Sequence, residues 1–264
     1  MKDLLTIICV SCDEYADMWP NFFKCKQRYW PDCEFETVLV NNELIVDISG
    51  IKVINCGINA QWSTRTRMAL EQINTKYVCF MLEDFWISKK VDNSLIAEVL
   101  NTMEDDGLKY YKLDSFSKIK TRHYKSTNHL YEIPSTLKYG ISLLTAIWDR
   151  EYFLQMLGKE DYNPWLFEAS RNKEVAQSQT EKLLGVYDNR DILHICHMVV
   201  QGHYLPVSAK KMIKQGIVLN TEKRKVYCGI AYWKYRVKKA MSQYPNVKKI
   251  LNILGWKSIS DKNS

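Results

Sequence analysis

Two adjacent acids, Glu83 and Asp84, follow directly on the run Tyr77-Val78-Cys79-Phe80-Met81-Leu82. Such a run reads as a buried strand. Carboxylates side by side at a strand exit repel each other unless a cation or hydroxyl groups neutralise them. A hard divalent cation shared with a diphosphate would do so; an acidic cap on the next turn is the plain alternative. A third acid, Glu168, ends the stretch Asn163-Pro-Trp-Leu-Phe-Glu168. Among Trp165, Leu166 and Phe167 its pKa would rise, which improves it as a general base. The same stretch also reads as an ordinary helix start, with Glu168 well placed for the helix dipole.

Other chemistries have weaker support. His194-x-Cys196-His197 with His203 offers zinc-binding residue types, but in a strand residues 194 and 196 share a face while 197 points away. The segment after the first strand, Ser11-Cys12-Asp13-Glu14-Tyr15-Ala16-Asp17-Met18, has no glycine. That excludes the glycine-rich phosphate loops of nucleotide-sugar pyrophosphorylases, dinucleotide oxidoreductases and P-loop enzymes.

Elements able to position these acids alternate along the first 90 residues. Leu4–Val10 reads as a buried strand, Asp13–Trp30 as a helix that Ser11 or Asp13 can cap, and Phe35–Val40 and Ile51–Ile54 as strands. Ala60–Ile73 reads as a helix and Tyr77–Leu82 as a fourth strand, a rhythm that predicts a mainly parallel sheet with helices on its faces. Beyond residue 90, helices are predicted over Leu95–Met103 and Arg150–Leu157, and strands over Leu108–Leu113 and Ile192–Val200. Ile141–Trp148 is a further apolar run, and His123–Pro134 reads as loop. Ligands of open α/β sheets gather at the carboxyl ends of the strands, where Ser11, Asp13, Glu83 and Asp84 fall.

The run Leu4–Asp13, then Val38–Asn42, then Trp62-Ser63-Thr64-Arg65 opening a helix, then Phe80-Met81-Leu82-Glu83-Asp84-Phe85-Trp86, resembles the nucleotide-binding half of a GT-A-type glycosyltransferase. It is similar to bacterial transferases that build surface polysaccharides. Gly140–Trp148 and Asn163–Glu168 resemble the acceptor-side segment of such enzymes. The resemblance implies a single GT-A-like, Rossmann-like α/β domain with a mixed, mainly parallel sheet. It implies transfer of a hexose from a nucleotide diphosphate sugar to a glycan or lipid-linked saccharide, with inversion.

By position in that family's pattern, Glu83 contacts the ribose or sugar and Asp84 holds Mg or Mn on the diphosphate. Ser11, Asp13 and Arg65 take the places that contact the nucleotide, Glu168 that of the catalytic base, and His203 that of a late metal ligand. The chain departs from the family's usual Asp-x-Asp or Asp-Asp, since Glu leads and Phe85 fills the third place. Trp62, Trp86, Trp148 and Trp165 flank these polar positions; an aromatic-lined groove suits sugars, and core packing is the alternative.

The 264 residues have ordinary globular composition and no apolar stretch long enough to span a bilayer. The start Met-Lys-Asp-Leu-Leu-Thr-Ile-Ile has no charged leader or small-residue cleavage site, which argues for a cytoplasmic location. The eight cysteines lie largely in apolar runs and read as reduced thiols. Charge is uneven. Residues 1–207, the expected catalytic domain, hold 23 Lys+Arg against 28 Asp+Glu, and residues 208–264 hold 14 against 2, together the net +7. In that tail Ile230, Trp233, Val237, Met241 and Tyr244 share a helical face, and Val247, Ile250, Leu251 and Leu254 continue the series. A basic amphipathic tail fits the inner face of an anionic membrane, and equally a helix packed on the domain with its lysines in water. A non-enzymatic nucleic-acid or membrane-binding module is the rival class; no nucleic-acid reading motif is present, so nucleic acid is not expected as a partner.

Overall fold

β1 (Leu5–Val10) is buried along its whole length and sits inside the sheet, as a continuous apolar run requires. In this computed structural model, which describes residues 2–113, 119–135, 137, 140–168 and 183–242, the chain forms two compact units, Met1–Cys196 and His197–Ser264.

The first unit is built on an eight-stranded sheet of order β3-β2-β1-β4-β8-β6-β9-β7. Its strands are β1, β2 (Glu36–Asn41), β3 (Lys52–Asn55), β4 (Tyr77–Met81), β6 (Tyr110–Lys112), β7 (Leu130–Pro134), β8 (Ala146–Asp149) and β9 (Leu183–Asp188); β5 (Phe85–Ile87) pairs separately with β10 (Ile195–His197). The first four pair in parallel, β8 runs backwards between β4 and β6, β9 lies parallel to β6, and β7 closes the edge antiparallel. Six of the eight strands therefore point one way. The expected mixed, mainly parallel α/β sheet is present.

Alternation along the strands divides two apolar faces. Ile8, Val10, Val38, Val40, Val78 and Phe80 join one core with Trp62 of α2 (Trp62–Glu71) and Phe153 of α4 (Arg150–Leu157). There Trp148 stacks on Phe153 with ring centroids 4.3 Å apart. α1 (Trp19–Tyr29) and α3 (Asn93–Asp106) bury Phe22 and Cys25, and Ile96 and Leu100. α3 starts where the Asp92 carboxylate accepts the Ser94 N–H and stops at Gly107, whose φ of 63° ends the helix in the left-handed region. All eight cysteines are free thiols.

Several local expectations are corrected. The helix expected over Asp13–Trp30 is a 3-10 turn at Asp13–Tyr15 followed by α1; Pro20 lacks an N–H and fits only the first turn of a helix. Neither Ser11 nor Asp13 caps it. The expected loop His123–Pro134 contains β7, which accommodates Pro134 at its last position, beside an irregularity in its pairing with β9. Only the end of Ile141–Trp148 is strand, and Ile192–Val200 splits between β10 and β11 (Val199–Val200).

In the second unit β11 pairs antiparallel with β12 (His203–Tyr204) across Gln201 and Gly202, whose φ values of 51° and 76° make the two-residue turn that matches hairpin twist. α6 (Pro206–Lys214) buries Ala209 and Met212, and α7 (Gly229–Ser242) follows. Of the predicted tail face, Ile230 and Trp233 are exposed and Val237 is half-buried. Tyr244, Val247, Ile250, Leu251 and Leu254 lie outside the described residues. Among the described residues no helix is long and apolar enough to cross a membrane.

Candidate active site

Glu83 and Asp84 form the turn between β4 and β5. Below them the Phe85 N–H donates to the Leu82 carbonyl at 3.1 Å, and the indole of fully buried Trp86 donates to the Glu83 carbonyl at 2.9 Å. The turn is pinned to the core, which holds both acids at 8% exposure. Their field reaches β1. The Cys9 thiol is pushed well up, first by burial and then by the negative charge of Glu83 and of Asp84. Cys12 is raised by burial and then by Glu83, while the positive charge of Arg65 works the other way. The exits of β1 and β4 and the first turn of α2 thus meet at one sheet edge.

α2 is held there by the segment leading to α5 (Pro164–Leu166). Ser63 Oγ donates to the Glu160 carbonyl at 3.0 Å and accepts the Tyr162 N–H at 2.8 Å, and Arg67 donates to the Gly158 carbonyl at 2.9 Å. One turn into α2, Arg65 donates through Nη1 to the Ala60 carbonyl. Its Nε is buried and has no hydrogen-bond partner among the described residues.

Glu168 stands just past α5, whose single turn is capped by Asn163 Oδ1 accepting the Leu166 N–H at 3.1 Å. The half-buried Glu168 accepts the Leu143 N–H on Oε1 at 2.8 Å. Burial raises its pKa; the Leu143 N–H and the nearby Lys112 charge pull in the opposite direction. Lys112, at the end of β6, is 1% exposed and donates to Ser142 Oγ at 2.9 Å. The β4–β8 register pairs Phe80 with Ala146. Phe80 and Ala146 are the last paired row, so the chain leaves β4 toward Glu83-Asp84 and enters β8 from the Leu143 side at the same end of these two strands.

Two of the expected nucleotide contacts are engaged inside the fold. Ser11 Oγ accepts the Trp19 indole N–H at 2.7 Å and donates to the Cys12 carbonyl at 3.4 Å. The Asp13 carboxylate accepts the N–H groups of Asn42, Glu43 and Leu44 at 3.1, 3.0 and 3.1 Å, and so fixes the loop after β2. His203 belongs to the second unit, its Nδ1 2.9 Å from the Gln201 carbonyl and its ring stacked 4.7 Å from Tyr227. Three of the four flanking tryptophans, Trp62, Trp86 and Trp148, are core residues, and Trp165 is half-exposed.

Lys112 was not anticipated, although a lysine closing the apolar strand Leu108–Leu113 is the signal that would have found it. Nor was Asp188, fully buried at the end of β9, where it accepts from Tyr111 at 2.7 Å and from Arg190 at 2.8 Å. Arg190 continues to Glu98 of α3 at 3.0 Å, which ties the second half of the sheet to its helix layer. Among the described residues no three His, Cys, Asp or Glu side chains cluster closely enough to hold a metal unaided.

No protein-family model matches the chain, and no curated protein matches it in sequence. Among solved structures it is similar to S. aureus TarS 1-349 (TM-score 0.43, 11% identity), over 70% of this chain and 60% of that one. It is also similar to a cytidylyltransferase from Leptospira borgpetersenii (TM-score 0.42, 10% identity; 94% and 96% covered). A third is 2-C-methyl-D-erythritol 4-phosphate cytidylyltransferase from Thermus thermophilus (TM-score 0.45, 11% identity; 82% and 100% covered). The chain thus spans 60% of the length of the TarS structure.

Proposed function

We propose that this chain is a glycosyltransferase that moves a hexose from a nucleotide diphosphate sugar to a hydroxyl of a glycan or lipid-linked saccharide, in the synthesis of a surface polysaccharide. The observation that carries this reading is the buried pair Glu83-Asp84 at the exit of β4, with Glu168 hydrogen-bonded to Leu143 on the lead into the antiparallel neighbour β8. Glu83 and Asp84 lie close enough to Cys9 to disfavour its thiolate.

The residues fit a hard divalent ion of the Mg or Mn type. Such ions take one or two carboxylates and complete their shell with water and substrate phosphate, so no third protein ligand is required. Asp84, with Glu83 beside it, would hold the ion, which when bound supplies positive charge to a departing diphosphate. Glu83 is the ribose or sugar contact. Arg65, in the first turn of α2 with its positive charge felt at Cys12 on the β1 exit, meets the nucleotide's negative charge. Ser11 and Asp13 act one step back by fixing the walls that receive the base.

Glu168 serves as general base. It takes the proton of the acceptor hydroxyl as that oxygen attacks the anomeric carbon, and the bond to the diphosphate breaks with its electron pair going to the leaving group. Its partial desolvation keeps the carboxylate basic, while the Leu143 N–H fixes its direction. One carboxylate opposite one leaving group suits inversion. Half-exposed Trp165 and Leu166, on the turn just before Glu168, offer an apolar face to an acceptor sugar.

The test is a panel of UDP, GDP and dTDP sugars with and without Mn, read as a rise in melting temperature. One donor should stabilise the protein in a Mn-dependent manner. No stabilisation by any member overturns the reading.

A further inference from the structure

The second compact unit combines two properties that the first does not. Residues 197–264 hold 14 Lys+Arg against 2 Asp+Glu, whereas residues 1–196 hold 23 against 28. The same unit exposes Val207, Ile213, Val218, Ile230 and Trp233, at 75, 55, 82, 74 and 62%, five of the ten exposed large apolar side chains among the described residues. Scattered apolar residues on a surface are ordinary. These are interleaved with cations. On α6, Val207, Lys210 and Lys214 follow one another at three- and four-residue steps on the side away from buried Ala209 and Met212, and exposed Ile213 lies at the margin of that side.

α7 is divided more sharply. Tyr232 and Tyr235 turn toward Tyr227, with ring centroids 5.7 and 5.8 Å away, and Tyr227 in turn stacks on His203 of the hairpin. At 100° per residue, Ile230, Trp233, Lys234 and Val237 fall on the opposite side of the helix. The aromatic stack holds one face of α7 against its own unit and leaves an apolar face edged with cations outside.

We propose that the second unit docks on bilayers containing anionic lipid through α6 and α7, with Ile230 and Trp233 entering the interface and Lys210, Lys214 and Lys234 meeting the head groups. Hydrocarbon and ammonium groups together match a charged lipid surface, where each cation near the plane adds to the attraction. Nucleic acid is a poorer match. Twelve of the unit's 14 cations are lysines, Arg224 is 6% exposed, and four of the five exposed apolar side chains are aliphatic with no ring to stack on a base. The proposal does not depend on the catalytic assignment.

The experiment is co-sedimentation of the full chain with phosphatidylcholine vesicles, with and without about one-third phosphatidylglycerol. Binding should require the anionic lipid and fall as salt is raised. The double variant Ile230→Ser/Trp233→Ser should weaken it by about tenfold or more while its melting temperature stays near that of the parent. Brominated phosphatidylglycerol should quench the tryptophan emission of the native chain, and Trp233→Phe should lose much of that quenching. Equal binding to neutral vesicles, absence of quenching in the native chain, or an unaffected double variant overturns the proposal. So does tighter binding to an oligonucleotide that displaces the protein from vesicles. Sugar-nucleotide stabilisation is read on the same protein without lipid, so the two proposals fail separately.

Discussion

Oε1 of Glu168 accepts the backbone N–H of Leu143 at 2.8 Å, joining the end of the α5 turn to the lead into β8. A glutamine keeps that acceptor and removes the base. Glu168→Gln should therefore fold and bind donor like the parent, while transfer falls by about 10²–10⁴-fold. Steady-state transfer measured beside donor-induced thermal shifts checks both halves; wild-type turnover refutes the base assignment.

The raised pKa of Glu168 gives two pH signatures. Activity should appear as pH rises through a value above the ordinary carboxylate range, because the base must be ionised. Stability moves oppositely. A carboxyl whose pKa is higher folded than unfolded stabilises fully below its unfolded pKa, and that contribution is lost as pH rises through the folded value. The melting temperature of Glu168→Gln, minus that of the parent, should accordingly grow more favourable from about pH 4 to about pH 8. A flat or falling difference contradicts the burial of this carboxyl.

Asp84→Asn keeps the shape of the β4–β5 turn and removes a charge. The Mn-dependent part of donor stabilisation should vanish, with the melting temperature of the free protein at or above that of the parent because one of two neighbouring buried charges is gone. Retained Mn dependence would remove the ion from Asp84.

Asp13→Ala leaves three backbone N–H groups of residues 42–44 without their acceptor. A loss of about 1–3 kcal/mol is expected, visible as a lower denaturation midpoint. If stability is unchanged and only donor affinity falls, Asp13 touches the nucleotide directly.

Gly185 in β9 has no room for a side chain, since a Cβ there would sit 2.1 Å from the Tyr110 carbonyl oxygen of β6. Gly185→Ala should separate β6 from β9 and give insoluble or melted protein, monitored by expression and circular dichroism. A soluble variant with a parental melting temperature would show that β9 can move aside.

The donor half was legible because its strands are long apolar runs ended by Asn, Gly or acidic residues, as at Val38–Asn42 and Leu82–Asp84. Observed ends fall within a residue or two of those expected. The second half was harder to read. β7, β8 and β10 have three to five residues each, too short for periodicity to separate strand from loop, and β9 is defined by its pairing with β6 and β7. Glu83, Asp84 and Glu168 were visible as acids in apolar surroundings. The use of Asp13 was not: a carboxylate at a strand exit looks the same in sequence whether it meets a ligand or three peptide N–H groups 29 to 31 residues away.

β8 runs against its neighbours, so the chain reaches the reactive rim on its way into that strand rather than on its way out. Residues 140–145, which lead into β8, can change chemistry at that rim while α4, which follows the strand at its other end, keeps the frame in place. Under the proposed function, divergence in acceptor choice should accumulate ahead of this reversed strand rather than in β1–β4.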